Sequence, residues 1–152
     1  MGTFAIVVER PDQPDVASLL AASDAYALSL YPVESNHLLA VDALLEPEVT
    51  FFVARLDGKA VGCGALVRKS GFGEIKRMFV NETTRGRGAA RRLLVAIESA
   101  AREAGIGVLR LETGTKQPEA QRLYRSAGFR DIPPFGEYEA DPWSVCMEKI
   151  LS

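Results

Sequence analysis

The stretch that most constrains what this chain can fold into runs from Glu74 to Gly105. It opens with Glu74-Ile75-Lys76-Arg77-Met78-Phe79-Val80, whose β-branched and aromatic content predicts a strand. Asn81-Glu82-Thr83-Thr84 turns the chain, and Arg85-Gly86-Arg87-Gly88-Ala89-Ala90 leads into a helical run. There Leu93, Leu94, Ile97, Ala100, Ala101 and Ala104 recur at helical spacing, and Gly105 is set to end the helix in the left-handed conformation. A strand that feeds a glycine-rich turn and a helix start builds an anion site. Unpaired backbone N–H groups and the positive end of the helix dipole converge there. Gly86 and Gly88 let a ligand approach the backbone, and Arg85 and Arg87 add fixed charge and paired donors for phosphate oxygens. The nucleotide P-loop, G-x-x-x-x-G-K-[ST], does not fit, because Arg87 alone separates the two glycines and Ala89-Ala90 follows. The dinucleotide fingerprint G-x-G-x-x-G does not fit either. Its third glycine position is Arg91, and a large cation there would obstruct helix–strand packing.

The flanking sequence predicts the rest of the fold. Ile106 to Thr113 is apolar and β-like, so the helix connects two neighbouring parallel strands. Upstream, Phe4 to Glu9 reads as a strand and Pro11 to Asp15 as a break. Leu19, Leu20, Ser23, Tyr26, Ala27 and Leu30 follow at helical spacing. Tyr31 to His37 is a loop, since Pro32 disfavours helix at Tyr31, and Leu38 to Leu45 is a shorter helix. Val49 to Leu56 and Lys59 to Arg68 form a hairpin around Asp57-Gly58, with Gly62 and Gly64 marking a bulge or a close backbone neighbour. Downstream, Pro118 opens a helix to Ala127 and Phe129 to Ile132 starts a strand. A long loop spans 133–142, and Ser144 to Ile150 is the last strand. The expectation is one domain over residues 1–152, with a mixed central sheet of about seven strands and flanking helices.

Composition narrows the function. The net charge of -2 gives no bulk attraction to nucleic acid, and the basic cluster Arg85, Arg87, Arg91, Arg92 suits a small anion. No apolar run approaches membrane-span length and no secretion leader is visible, so a cytoplasmic protein is expected. Cys63 and Cys146 sit in apolar runs and read as buried reduced thiols. One histidine and two scattered cysteines form no metal-ligand pattern, so no metal is expected.

Arg85-x-x-Gly88-x-Ala90 resembles the R/Q-x-x-G-x-G/A signature of the GCN5-related N-acetyltransferase superfamily. Ala120-x-x-Leu123-Tyr124-x-x-x-Gly128-Phe129 is similar to that family's A-x-x-L-Y-x-x-x-G-F block, and the order β-α-α-β-β-β-α-β-α-β-β is the family's own. The resemblance covers nearly the whole chain. It implies an α/β (α+β) acyl-CoA N-acyltransferase fold in which the parallel strands at 74–80 and 106–113 splay apart. It implies acetyl-CoA as cosubstrate, bound by the backbone of Met78, Phe79 and Val80 and by the Arg85, Gly86, Arg87, Gly88, Ala89, Ala90 loop. Gln117 stands where many members carry Asn, and Gln is the weaker helix cap. Chemistry is direct attack by an amine, so positioning and oxyanion stabilisation dominate. Tyr124 matches the family position whose hydroxyl points at the coenzyme sulfur, as acid. Glu74 matches a strand glutamate that serves as base, with Glu112 a rival on the neighbouring strand. The loops at 31–39 and 133–144 fall where the family receives its acceptor. Glu34, His37, Arg77 and Tyr138 are the candidate lining residues, Glu34 to attract an ammonium and Arg77 to hold a carboxylate.

The activity expected is transfer of acetyl to a primary amine of a small molecule, amino-acid-like or polyamine-like, by a monomer or homodimer. An acyl-CoA sensor without activity and an enzyme acting on a protein amine are the alternatives, and fold alone does not separate them.

Overall fold

The computed structural model describes residues 2–32 and 39–151. In chain order the elements are β1 (Phe4–Val8), α1 (Pro14–Leu30), α2 (Val41–Leu44), β2 (Val49–Leu56), β3 (Lys59–Lys69) and β4 (Phe72–Val80). A 3-10 turn (Glu82–Thr84) then leads to α3 (Ala89–Glu103), β5 (Val108–Gly114), α4 (Pro118–Ser126), β6 (Arg130–Ile132) and β7 (Ser144–Ile150). The strands form one seven-stranded sheet in the order β1-β2-β3-β4-β5-β7-β6. Every neighbouring pair is antiparallel except β4 and β5, the parallel pair joined through α3. The mixed seven-stranded sheet and its parallel pair agree with the sequence expectation.

Alternation along β2 divides the core between the two faces of the sheet, as the two-residue strand period requires. Phe52 and Ala54 point to the face covered by α3, where they join Leu66, Leu93, Leu94, Ile97, Ala101, Leu109, Leu111 and Met147. Phe51 and Val53 point the other way, with Cys63 and Ala65, toward Val16, Leu19 and Leu20 of α1 and Leu44 of α2. Gly62 and Gly64 sit on the α3 side of β3. A Cβ on Gly64 would lie 2.6 Å from Met78 Sδ and 3.1 Å from Ile97 Cδ1, so the missing side chain is what lets α3 and Met78 close on the sheet.

The bulge expected near those glycines is present, on the partner strand. Cys63 pairs with Phe79 and Ala65 with Lys76, so Arg77 and Met78 together face Gly64. Arg77 takes a left-handed φ of 60° there. Pairing of β4 with β5 is confined to Gly73↔Leu109, Glu74↔Arg110 and Ile75↔Leu111. Beyond Ile75 the two strands part, which is the expected splay.

Several boundaries differ from the sequence reading. The second helix is only Val41–Leu44 among the described residues. β5 begins at Val108 because Ile106 belongs to the end of α3. Its N–H donates to Ala101 O while Gly105 N–H donates to Arg102 O, the paired bonds that close a helix through a left-handed residue. β3 and β4 extend to Lys69 and from Phe72, so the turn between them is shorter than expected. Both cysteines are buried free thiols, and burial pushes the Cys63 thiol up to about 12.

Gly64→Val should lower stability by about 1–3 kcal/mol through overpacking against Met78 and Ile97. The urea midpoint should fall with the slope unchanged. An unaltered midpoint would show that α3 does not depend on this close approach.

Candidate active site

The parting of β4 from β5 opens the sheet, and two cavities meet in the gap. The larger, about 580 Å³, is walled by the C-terminal half of β4, the start of α3 and one side of α4. Met78, Phe79, Val80, Arg85, Gly86, Gly88, Ala89, Ala90, Gln117 and Tyr124 all lie on its wall. Of the expected coenzyme residues only Arg87 does not. It is exposed and lies between the two glycines, off the cleft wall. Arg91, one of the basic cluster read from the sequence, also contributes, as do Thr84 and Lys116, which the sequence reading had not assigned. Arg91 stands in the first turn of α3.

Local sequence explains this wall. Gly86 and Gly88 have φ of 81° and 87°, a conformation that favours glycine, and Gly88 is the N-cap of α3 with no side chain to occupy the first-turn N–H groups. Those donors and the helix dipole face the cleft, as an anion site requires. Arg85 is fixed beside them. Its Nε donates to Val80 O at 3.0 Å, and its guanidinium rests over Tyr26 at 4.6 Å and Phe79 at 5.6 Å. Gln117 precedes α4 without capping it through its side chain. Its Oε1 instead accepts from the Tyr31 hydroxyl at 3.0 Å.

The smaller cavity, about 140 Å³, lies on the α1 side between β4 and β5. Tyr31, Lys76, Arg77, Glu112, Tyr138 and Trp143 line it alone. Tyr26, Met78, Phe79, Gln117, Ala120 and Tyr124 line both cavities. Tyr124 therefore stands at the junction. It is 6% exposed, its ring meets Phe129 edge-on, and burial raises its phenol well above the ordinary value. Tyr124 is thus a neutral hydroxyl at physiological pH, able to donate a proton or a hydrogen bond.

The acceptor-side expectations fare unevenly. Glu34 and His37 lie outside the described residues. Tyr138 lines the cavity as expected. Arg77 is on the wall, but its guanidinium is already committed. Nη1 donates to Asp24 Oδ1 at 2.7 Å and Nη2 to Leu20 O at 3.2 Å, with the side chain only 3% exposed. Where the sequence reading expected Arg77 to hold a substrate carboxylate, α1 already engages Nη1 and Nη2, and the buried Nε has no hydrogen-bond partner among the described residues. Glu74 is 5% exposed and is not on either wall. The Tyr138 hydroxyl donates to Glu74 Oε2, and Lys76 Nζ donates to Tyr138 Oη at 2.6 Å and stands 3.4 Å from the same carboxylate oxygen. Tyr138 thus separates Glu74 from the cavity. Desolvation and then the bond to Glu74 hold the Tyr138 phenol well above its ordinary value. Glu112 does line the cavity, and the Ser144 hydroxyl donates to its Oε2.

Sequence reasoning missed Tyr26, Tyr31, Lys76 and Trp143. They are scattered over α1, β4 and the 133–143 loop, and no spacing rule links them. Trp143, the chain's one tryptophan, in a polar loop, was the available signal.

A sheet opened at a parallel pair, over a glycine-rich helix start and a buried tyrosine, defines an acyl-CoA N-acyltransferase. Residues 16–129 match the model of the Acetyltransferase (GNAT) family, and the chain belongs to that family and is an N-acetyltransferase that uses acetyl-CoA. An IAA acetyltransferase of Azospirillum brasilense is 48% identical over 153 residues, covering 99% of this chain and 100% of that protein. A Klebsiella pneumoniae structure assigned to the acyl-CoA N-acyltransferases superposes with a TM-score of 0.83 at 36% identity, covering 99% of both chains. A GNAT family acetyltransferase from Elizabethkingia anophelis with acetyl-CoA bound shares the fold, with a TM-score of 0.72 at 20% identity over 97% of this chain and 98% of that one. Among the described residues no helix is long and apolar enough to cross a membrane.

Acetyl-CoA at about 100 times its Kd should stabilise the protein by about 2.7 kcal/mol, raising Tm by about 5–10 °C. Gly88→Val should abolish that shift relative to its own unliganded Tm, since a branched side chain at this φ distorts and fills the anion loop. A full shift in the variant would move the phosphate site elsewhere.

Proposed function

We propose that this acetyltransferase acts on the primary amine of a small molecule, held in the 140 Å³ cavity. The observation that carries the reading is the position of Tyr124. It is shared by the cleft with the anion loop and by the smaller cavity, so an acyl group from one side and an amine from the other meet beside one neutral hydroxyl. The amine nitrogen bonds to the acyl carbon as the carbon–sulfur bond breaks. Tyr124 supplies a proton to the departing thiolate, and a carboxylate takes one from the amine. Positioning by the two walls supplies the remaining advantage.

Two carboxylates compete for the amine proton. Glu112 is the better placed, being on the wall itself. Glu74 would act through Tyr138, from whose hydroxyl it already accepts a hydrogen bond. A polyamine-like acceptor is disfavoured by the size of the cavity. An amino-acid-like one loses the arginine that was to hold its carboxylate, Arg77 being paired with Asp24. A protein amine would have to enter the same small space. IAA, named in the Azospirillum relative, belongs in the acceptor panel for that reason alone.

Tyr124→Phe should lower kcat by about 10²-fold with the acetyl-CoA KM nearly unchanged. Unaltered turnover would remove the acid role. Glu112→Gln should abolish the rise of kcat/KM with pH, whereas Glu74→Gln should weaken activity and keep the profile. The reverse pattern would return the base role to Glu74. Free-thiol release with amines and with peptide N-termini as acceptors tests the class, and turnover of peptides alone would overturn it.

A further inference from the structure

We infer that the acceptor amine is carried on an aromatic ring, an arylalkylamine in chemical class, with the ring against Tyr31 and Trp143 and the amine directed to Glu112. This rests on the small-molecule reading above and narrows it. The first argument is volume. The cavity measures about 140 Å³, and an apolar protein cavity of about 150 Å³ holds one benzene. One six-membered ring and a short arm would fill it, whereas a long flexible chain would leave most of its length outside.

The second argument is the wall. Tyr31, Tyr138 and Trp143 line this cavity and not the coenzyme cleft, so their faces serve the acceptor. Each is held by contacts of its own before any ligand arrives. The Tyr31 hydroxyl accepts from Lys116 N at 3.1 Å and donates to Gln117, while its ring meets Trp143 at 6.5 Å, edge-on. The Trp143 backbone N–H donates to Asp141 Oδ1 at 2.7 Å, and Lys116 Nζ lies 4.6 Å from the Trp143 ring centre. Tyr138 is fixed by Glu74 and Lys76 and packs against Phe135 at 5.1 Å. Rigid aromatic walls of this kind favour a planar guest, because stacked and edge-on ring pairs gain beyond their buried area and little ordering cost remains.

The third argument is charge. The cations on the described wall, Lys76 and Arg77, are engaged by Glu74 with Tyr138 and by Asp24. Glu112 places a carboxylate on the same wall, and burial above all, with the bond to Glu74 in the case of Tyr138, holds the phenols of Tyr31 and Tyr138 in their neutral form. An acceptor with an amine at one end and an uncharged ring at the other matches that distribution.

The test compares 2-phenylethylamine with n-hexylamine, spermidine and free α-amino acids under saturating acetyl-CoA. The expected result is a kcat/KM for 2-phenylethylamine at least tenfold above every other member. Trp143→Leu should lower the arylamine value about tenfold and the hexylamine value by a clearly smaller factor, so that the preference for the ring narrows. Should that variant fold poorly, the wild-type protein gives an independent readout, since Trp143 is its one tryptophan. With coenzyme A bound, 2-phenylethylamine should perturb Trp143 emission saturably at least tenfold more tightly than hexylamine. Equal use of hexylamine and 2-phenylethylamine, or preference for spermidine or an amino acid, overturns the aromatic assignment and leaves the small-molecule reading standing. Turnover of no small amine by a protein that still binds acetyl-CoA overturns both.

Discussion

Two residues of β4 standing opposite one residue of β3 set the geometry on which the site depends. Arg77 and Met78 face Gly64, and the extra residue bends the second half of β4 away from β5. Without that bend the parallel pair would continue past Ile75↔Leu111 and close the gap both cavities share. The bulge has a cost. Arg77 is a non-glycine residue in the left-handed region, worth about 1–3 kcal/mol of strain. The surrounding structure over-determines it. The Arg77 carbonyl accepts from Cys63 Sγ, and its guanidinium reaches across to Asp24 and the Leu20 carbonyl of α1. The charge expected to meet substrate is therefore what pins a helix over the opened sheet. Removing Asp24 would leave a nearly buried cation short of its partner, the costly way to break such a pair.

Around the gap, formal charges are settled locally in pairs. Lys76 serves Glu74 and Tyr138, and Arg110 and Arg130 both serve Glu148. Arg85 stacks on Tyr26 and Phe79. At the junction itself stands the neutral hydroxyl of Tyr124, with Glu112 on the wall of the adjoining cavity. A junction whose side chains are already held in place suits a reaction in which the protein supplies position and a proton rather than a covalent partner.

The fold was legible in detail because its signals are local. Asp57-Gly58 gave the hairpin, and both residues do take positive φ. The apolar stripe of α3 gave the crossover, and Gly62-x-Gly64 marked the bulge on the correct pair of strands. The glycine loop and Tyr124 were found from spacing and resemblance. The acceptor cavity was not found so readily. Tyr26, Tyr31, Tyr138 and Trp143 are far apart in sequence and converge only because β4 and β5 part and the 133–143 loop folds back across them. The partners of Arg77 and Glu74 were illegible for a related reason. A charged residue in a strand reads as available until the neighbour that neutralises it, Asp24 or Lys76, is brought beside it by packing.

The sequence by itself determined the order of elements, the parallel crossover and the anion loop, since periodicity, turn residues and helix starts act over a few residues. It also singled out the tyrosine that stands at the junction. Only the tertiary structure decided which charges are spent, which carboxylate reaches the cavity and what lines it. Those properties belong to pairs of side chains tens of residues apart, and no local rule carries the distance between them.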